Sequence, residues 1–111
     1  MKVAKFAGSS LADLRAFPKA ARVDMGRQID RLQQGLDPHN WRPLPSVGRG
    51  VREIRIRSEG NIYRSMYVTN IDDVVYILHV FEKKSQRTPT QAIKIAKARL
   101  QTLQAQSQRR T

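Results

Sequence analysis

A chain of 111 residues is long enough for one modest core, so a single domain is expected. Twenty-one Lys and Arg against nine Asp and Glu give a formal net charge of +12, which draws polyanions at long range: nucleic acid first, although a ribosomal surface, an acidic protein or an anionic membrane would satisfy it too. Hydrophobic residues at 40% exclude global disorder, and the absence of cysteine excludes disulfides and thiolate chemistry.

The N-terminal MKVAKFAGSS has no apolar stretch of signal-peptide length, and no run approaches a membrane span, so a soluble, cytoplasmic protein without a membrane partner is expected. Residues 2–7 alternate weakly and suit a short edge strand. Ser10 followed by Asp13 resembles a capping box opening a short helix, and Pro18 suits the first turn of a second. Met25, Ile29, Leu32 and Leu36 then mark one helical face, with Gly35 as a C-terminal cap. Residues 10–35 read as a helical hairpin, or as one helix broken at Phe17-Pro18. Residues 37–50 hold three prolines and two glycines and read as a loop, tucked in by Trp41 and Leu44.

From Val51 the period changes to two. VREIRIRS sets Ile54 and Ile56 on one face and Glu53, Arg55 and Arg57 on the other. SEGN is a turn, NIYRSMYVTN a second strand, IDDV a second turn, and VVYILHVF a strand apolar on both faces, as in a central strand covered on both sides. Three such strands form an antiparallel meander. Thr88, Pro89 and Gln91 give a capping-box-like start to a last helix whose face is Ile93, Ala96, Leu100 and Leu103. Residues 104–111 read as a basic flexible tail. The order β-α-α-β-β-β-α is that of a single α+β domain over residues 1–103.

No spacing of histidines or carboxylates resembles a metal site, and there is neither a phosphate-binding glycine loop nor a Gly-x-Ser-x-Gly element. His79 inside an apolar strand reads as a packed residue and His39 as an exposed loop residue. Trp41, Tyr63, Tyr67 and Tyr76 read as packing groups in preference to base-stacking ones. The basic residues carry more information. Arg55 and Arg57 share a strand face, Arg64 lies across the SEGN turn, and Lys83-Lys84 ends the third strand. On neighbouring strands these can converge, with Glu53 placed to orient a guanidinium. A solvated sheet face and an anion site both fit. Arg64 has the parity of Ile62, Met66 and Val68, so either a bulge re-aims it or it emerges at the sheet's edge. Adjacent strand positions face opposite ways, so alternation leaves open which of Lys83 and Lys84 faces the cluster, and at least one is expected to.

VGRGVREIRI, NIYRSMYV, VYILHVFEKKSQRTP and AIKIAKARL, in this order and spacing, resemble the HigB-like branch of the RelE/ParE toxin superfamily. SSLADLRAFP and the Gln-x-Gly-x-x-Pro-x-x-Trp element from Gln33 to Trp41 fit the same branch, and the resemblance spans about residues 5–103. It implies a compact RelE-like domain, a helical hairpin packed on a small antiparallel-rich sheet with a C-terminal helix. It implies the toxin of a type II toxin–antitoxin pair, a metal-independent mRNA endoribonuclease acting on the ribosome, and no small-molecule cofactor. It also implies a cognate antitoxin, often of helix-turn-helix type. ParE-like relatives share the fold and poison DNA gyrase instead, and a plain nucleic-acid-binding domain is the third alternative. Carried over residue by residue, the resemblance makes Arg64 the grip on the scissile phosphate and Lys83 or Lys84 the group at the leaving oxygen. Arg55, Arg57 and Arg87 become binders of RNA phosphates, and Glu53 an orienting residue. The chain departs from some relatives in having no Tyr or His after His79.

Overall fold

In the computed structural model, which describes residues 1–84 and 89–109, the chain runs β1 (Ala4–Phe6), α1 (Ser10–Arg15), α2 (Lys19–Gln33), β2 (Trp41–Pro43), β3 (Arg52–Ser58), β4 (Asn61–Ile71), β5 (Val74–Lys83) and α3 (Thr90–Arg109). The strands form one sheet in the order β1-β5-β4-β3-β2. The β1–β5 pair is parallel and the others are antiparallel. This is the α+β architecture expected from the sequence, consistent with a RelE-like fold.

Two tight turns set the meander. Ser58 pairs with Asn61 around Glu59 and Gly60, and Ile71 pairs with Val74 around Asp72 and Asp73. All four turn residues have positive φ, between 51° and 82°, as two-residue hairpin turns of primed type require. The loop expected over residues 37–50 contains a strand after all: Trp41 pairs with Ile54, Arg42 with Glu53 and Pro43 with Arg52. Proline is tolerated there because β2 is an edge strand.

Both faces of the sheet are covered. Against one lie α1 and α2, where Leu14, Ala21, Met25, Ile29 and Leu32 meet Ile54, Ile56, Tyr63, Tyr67 and Ile77. Against the other lies α3, whose Ala92, Ala96 and Leu100 meet Val51, Met66, Val68, Tyr76 and Leu78. This is why VVYILHVF is apolar at odd and even positions alike.

The helical hairpin forms, with details that differ from expectation. Ser9, not Ser10, precedes α1, and its hydroxyl donates to Asp13 Oδ2 at 2.8 Å. Ser10 is buried and its hydroxyl donates to the carbonyl of Ala7 at 2.6 Å. Pro18 stands just before α2, with extended ψ, rather than within its first turn. At the other end Gly35 N–H donates to Leu32 and Leu36 N–H to Arg31, a Schellman motif with Gly35 at φ +82°. That motif carries Leu36 off the helix and leaves it 47% exposed, so the apolar stripe ends at Leu32. Buried Gln28 ties down the following loop: its Oε1 accepts the His39 backbone N–H at 2.8 Å.

The tail expected from residue 104 is helical instead, since α3 continues to Arg109. Nothing in Gln104–Arg109 breaks a helix, and Ser107 donates to Asp72 Oδ1 at 2.9 Å, tying the last turns of α3 to the β4–β5 turn. Pro89 immediately precedes α3, and the expected cap Thr88 lies outside the described residues. Among the described residues no helix is long and apolar enough to cross a membrane.

Glu59 occupies a left-handed position without the advantages of glycine or asparagine. Glu59→Asn creates the Asn-Gly pair that this turn favours and should stabilise the domain by about 1 kcal/mol, read as a raised midpoint in urea or thermal unfolding.

Candidate functional site: a basic cleft on the α3 face

Cross-strand partners share a sheet face, so register decides which charges meet. Arg55 opposes Arg64, which opposes Phe81. One step outward, Arg57 opposes Ile62, which opposes Lys83. One step inward, Arg42 opposes Glu53, then Met66, then His79. All lie on the face that α3 covers. Along β4 the apolar Val68 and Met66 under the helix give way to Arg64 and Ile62, and the covered core becomes an open cleft of about 790 Å³. Arg55, Asn61, Ile62, Glu82, Lys83 and Lys84 line it.

The innermost element is a buried ion cluster. Glu53 Oε1 accepts from Arg64 Nη1 at 2.6 Å and from Arg42 Nε at 3.1 Å. The Glu53 side chain is 0% exposed and that of Arg64 1%, whereas Arg42 reaches solvent. Burial pulls the Arg64 guanidinium below its ordinary value and Glu53 opposes that pull. An arginine stays charged regardless. The parity of Arg64 is therefore real, and neither escape expected for it occurs. The register shifts of the β4–β5 pair fall beyond Met66, and Arg64 sits in the middle strand of the sheet. It is charged inside because Glu53 lies diagonally across on β3. A grip by Arg64 on a phosphate arriving from solvent does not fit this burial. Arg64 is not among the residues that line the cleft.

Lys83, not Lys84, joins the cluster. Its ammonium is held below the ordinary lysine value by desolvation first, then by Arg64, Arg55 and Arg42, with Glu53 opposing. Lys84 stands on the rim with its side chain 83% exposed, 3.8 Å from Glu82. Arg57 is exposed on the outer row. Arg87 lies outside the described residues. Arg42 is a member that sequence reasoning missed: its place opposite Glu53 follows only from the β2–β3 pairing, in a segment rich enough in proline to read as loop. Tyr67 is no candidate acid, since it lies on the opposite face among Ile54 and Ile77 and burial pushes it up to about 12.

Like charges crowd this part of the sheet. Like charges directly opposed across strands destabilise a sheet, and Arg55 directly opposes Arg64. Three guanidiniums and one carboxylate act on Lys83. Arg55 Nε is buried without a hydrogen-bond partner among the described residues, although Arg55 lines the cleft. Such an arrangement is relieved by an anion in the cleft. Among the described residues no group of three or more His, Asp or Glu is placed to hold a metal ion.

Glu53→Gln removes the one carboxylate from the cluster while keeping its shape. It should cost about 3 kcal/mol of stability in chemical unfolding, because it strands a buried guanidinium. Joint replacement of Glu53 and Arg64 by Leu and Met should recover most of that loss.

Comparison with curated proteins gives no match. The model of the family described as phage derived protein Gp49-like (DUF891) matches residues 12–101, a stretch that begins in α1, ends in α3 and contains every member of the basic cluster. The chain belongs to the phage-derived Gp49-like family.

Proposed function

We propose that the chain is the toxin of a type II toxin–antitoxin pair and an mRNA endoribonuclease that works on the ribosome. Membership of the Gp49-like family supports a toxin of the RelE/HigB kind. The observation that carries the nuclease reading is the convergence of Arg55 and Lys83 in one cleft above the buried Arg64–Glu53 pair. In the reaction, an RNA 2′-hydroxyl gives up its proton to water as its oxygen attacks the adjacent phosphorus, and the bond to the 5′-oxygen breaks. A 2′,3′-cyclic phosphate and a 5′-hydroxyl result. Negative charge grows on the phosphorane oxygens and on the departing 5′-oxygen.

Each basic residue has a place in that charge distribution. Arg55 binds the non-bridging oxygens, where a planar guanidinium engages two at once. Lys83 gives its proton to the 5′-oxygen; its lowered pKa makes it a better acid than an ordinary lysine. Arg64 supplies fixed positive charge from below, in surroundings where it is screened less than at the surface. Glu53 orients Arg64 and Arg42 and, being fully buried, stays out of proton transfer. Arg57 and Lys84 on the rim, with Arg87, hold flanking phosphates. Ribosomal presentation of the message would supply the substrate alignment that a small open cleft lacks. A cognate antitoxin of helix-turn-helix type silences the toxin in this reading, and the cytoplasm is where toxin, messenger and ribosome meet.

Induction in bacteria followed by mapping of transcript 5′ ends tests this directly. The wild type should cut messages. Lys83→Ala should lower cleavage by about 10²–10⁴-fold, the usual worth of a general acid, while Lys84→Ala changes it little. Intact transcripts with lost DNA supercoiling would overturn the reading in favour of a gyrase poison.

The acid must be protonated to act, so the rate should fall as pH rises through the Lys83 pKa. That fall should lie below the ordinary lysine range, and Lys83→Arg should abolish it. A pH–rate profile on purified ribosome complexes decides this.

A further inference from the structure

A second concavity adjoins the cleft and has no part in the chemistry above. β1 stops pairing with β5 at Ile77, so from His79 to Lys83 that side of β5 has no neighbouring strand among the described residues. Next to this open edge lies a notch of about 400 Å³, within the range of ligand pockets, roughly 300–1,000 Å³. Asp13, Phe17, Tyr63, His79, Phe81 and Glu82 line it. Its aromatic rings come as two pairs. Phe17 and Tyr63 meet with centroids 4.7 Å apart. His79 and Phe81 are stacked, 5.1 Å apart and 19° from parallel. Glu82 lines both the notch and the cleft. Phe81 stands directly across from Arg64.

We propose that this notch holds the nucleobase adjoining the phosphate in the cleft, and that it favours a base presenting N–H donors, guanine foremost. The inference rests on the RNA-binding reading of the cleft. Stacking on flat aromatic side chains is the general way single-stranded bases are held, and the notch offers the half-buried His79–Phe81 pair, with Phe17 at its other wall, beside a phosphate site; Tyr63 is buried behind Phe17. The selectivity follows from charge. The chain has nine acidic residues against twenty-one basic ones, yet two of the nine line this notch. Carboxylates accept from base N–H groups, and of the two only Asp13 lines the notch without also lining the cleft. Guanine carries two adjacent donors on its pairing edge, whereas uracil has one.

The state of His79 suits the role. Burial, then Arg99, hold its pKa below the ordinary value against the pull of Asp13, which keeps the ring neutral. Arg99 Nη1 lies 3.4 Å from His79 Nδ1. Arginine only donates, so Nδ1 accepts and the ring hydrogen sits on Nε2. A neutral ring with fixed tautomer stacks on Phe81 without adding a charge that would call a phosphate into the notch.

The test is an NMR titration of the wild-type protein with trinucleotides made uncleavable by a 2′-deoxy sugar, carrying guanine, uracil or no base beside the central phosphate. Side-chain signals of Arg55 and Lys83 report the cleft, and ring signals of Phe17, Tyr63, His79 and Phe81 report the notch. All three ligands should move the cleft signals, and only those with a base should move the rings. Guanine should bind about fivefold or more tightly than uracil, and Asp13→Asn should shrink that ratio. Rings that stay still while Arg55 and Lys83 respond would overturn the notch and leave the cleft standing. Equal binding of guanine and uracil would overturn the donor preference. Silence at Arg55 and Lys83 would instead sink the RNA-binding reading itself. Phe81→Leu, which keeps an apolar side chain, should weaken the base-bearing ligands toward the abasic one; unchanged affinities would count against stacking.

Discussion

Everything at the candidate site hangs on one carboxylate placed where water does not reach. Glu53 accepts from Arg64 beneath and from Arg42 at the side. Without it, Arg64 would be an uncompensated charge in the middle strand of the sheet, at a cost of several kcal/mol. With it, the floor of the cleft is positive and rigid at once. The pair is poor evidence for extra stability, because a hydrophobic replacement of similar shape would do as well. Its effect is to hold a guanidinium still beside a basic cleft.

The sheet makes this possible by serving two purposes on one face. Near the β4–β5 turn, Val68, Met66 and Tyr76 meet the alanines and leucines of α3. Toward the other end of the same strands the alternating positions become Arg64 and Ile62 on β4 and Phe81 and Lys83 on β5. The hairpin turns fix the register, and a one-residue slip would send Arg55 and Lys83 to the α2 side. Rigid packing of α3 over half the face thus holds the charged half in place, since both belong to the same three strands.

Much of the fold was legible because its signals are local. The change of period at Val51, the turn residues around Gly60, and the Gly35 cap all act within a few positions, and each appears where the sequence put it. β2 was hidden because three prolines suit a loop and an edge strand equally well. The end of α3 was hidden because its hold on Asp72 spans thirty-five positions. At the site, the shared sheet face of Glu53, Arg55 and Arg57 could be read from alternation alone. The burial of Arg64 could not, because it depends on which strand lies in the middle and what opposes it. The choice between Lys83 and Lys84 waited on the same register. The notch was invisible to sequence reasoning, which assigned Tyr63 and His79 to packing. They do pack, but at an edge where packing leaves room.

The unequal lengths of β1 and β5 bear on how the molecule keeps to itself. An exposed strand edge is a template on which other chains can add, and aggregation begins there. At one margin of this sheet β2 is three residues long and ends in a proline, which cannot donate to a newcomer. At the other, three-residue β1 covers β5 only as far as Ile77. The uncovered stretch carries Glu82 and Lys83 and runs into Lys84, charges that deter an incoming strand. Residues that line the basic cleft are thus also the ones that keep a second sheet from extending this edge.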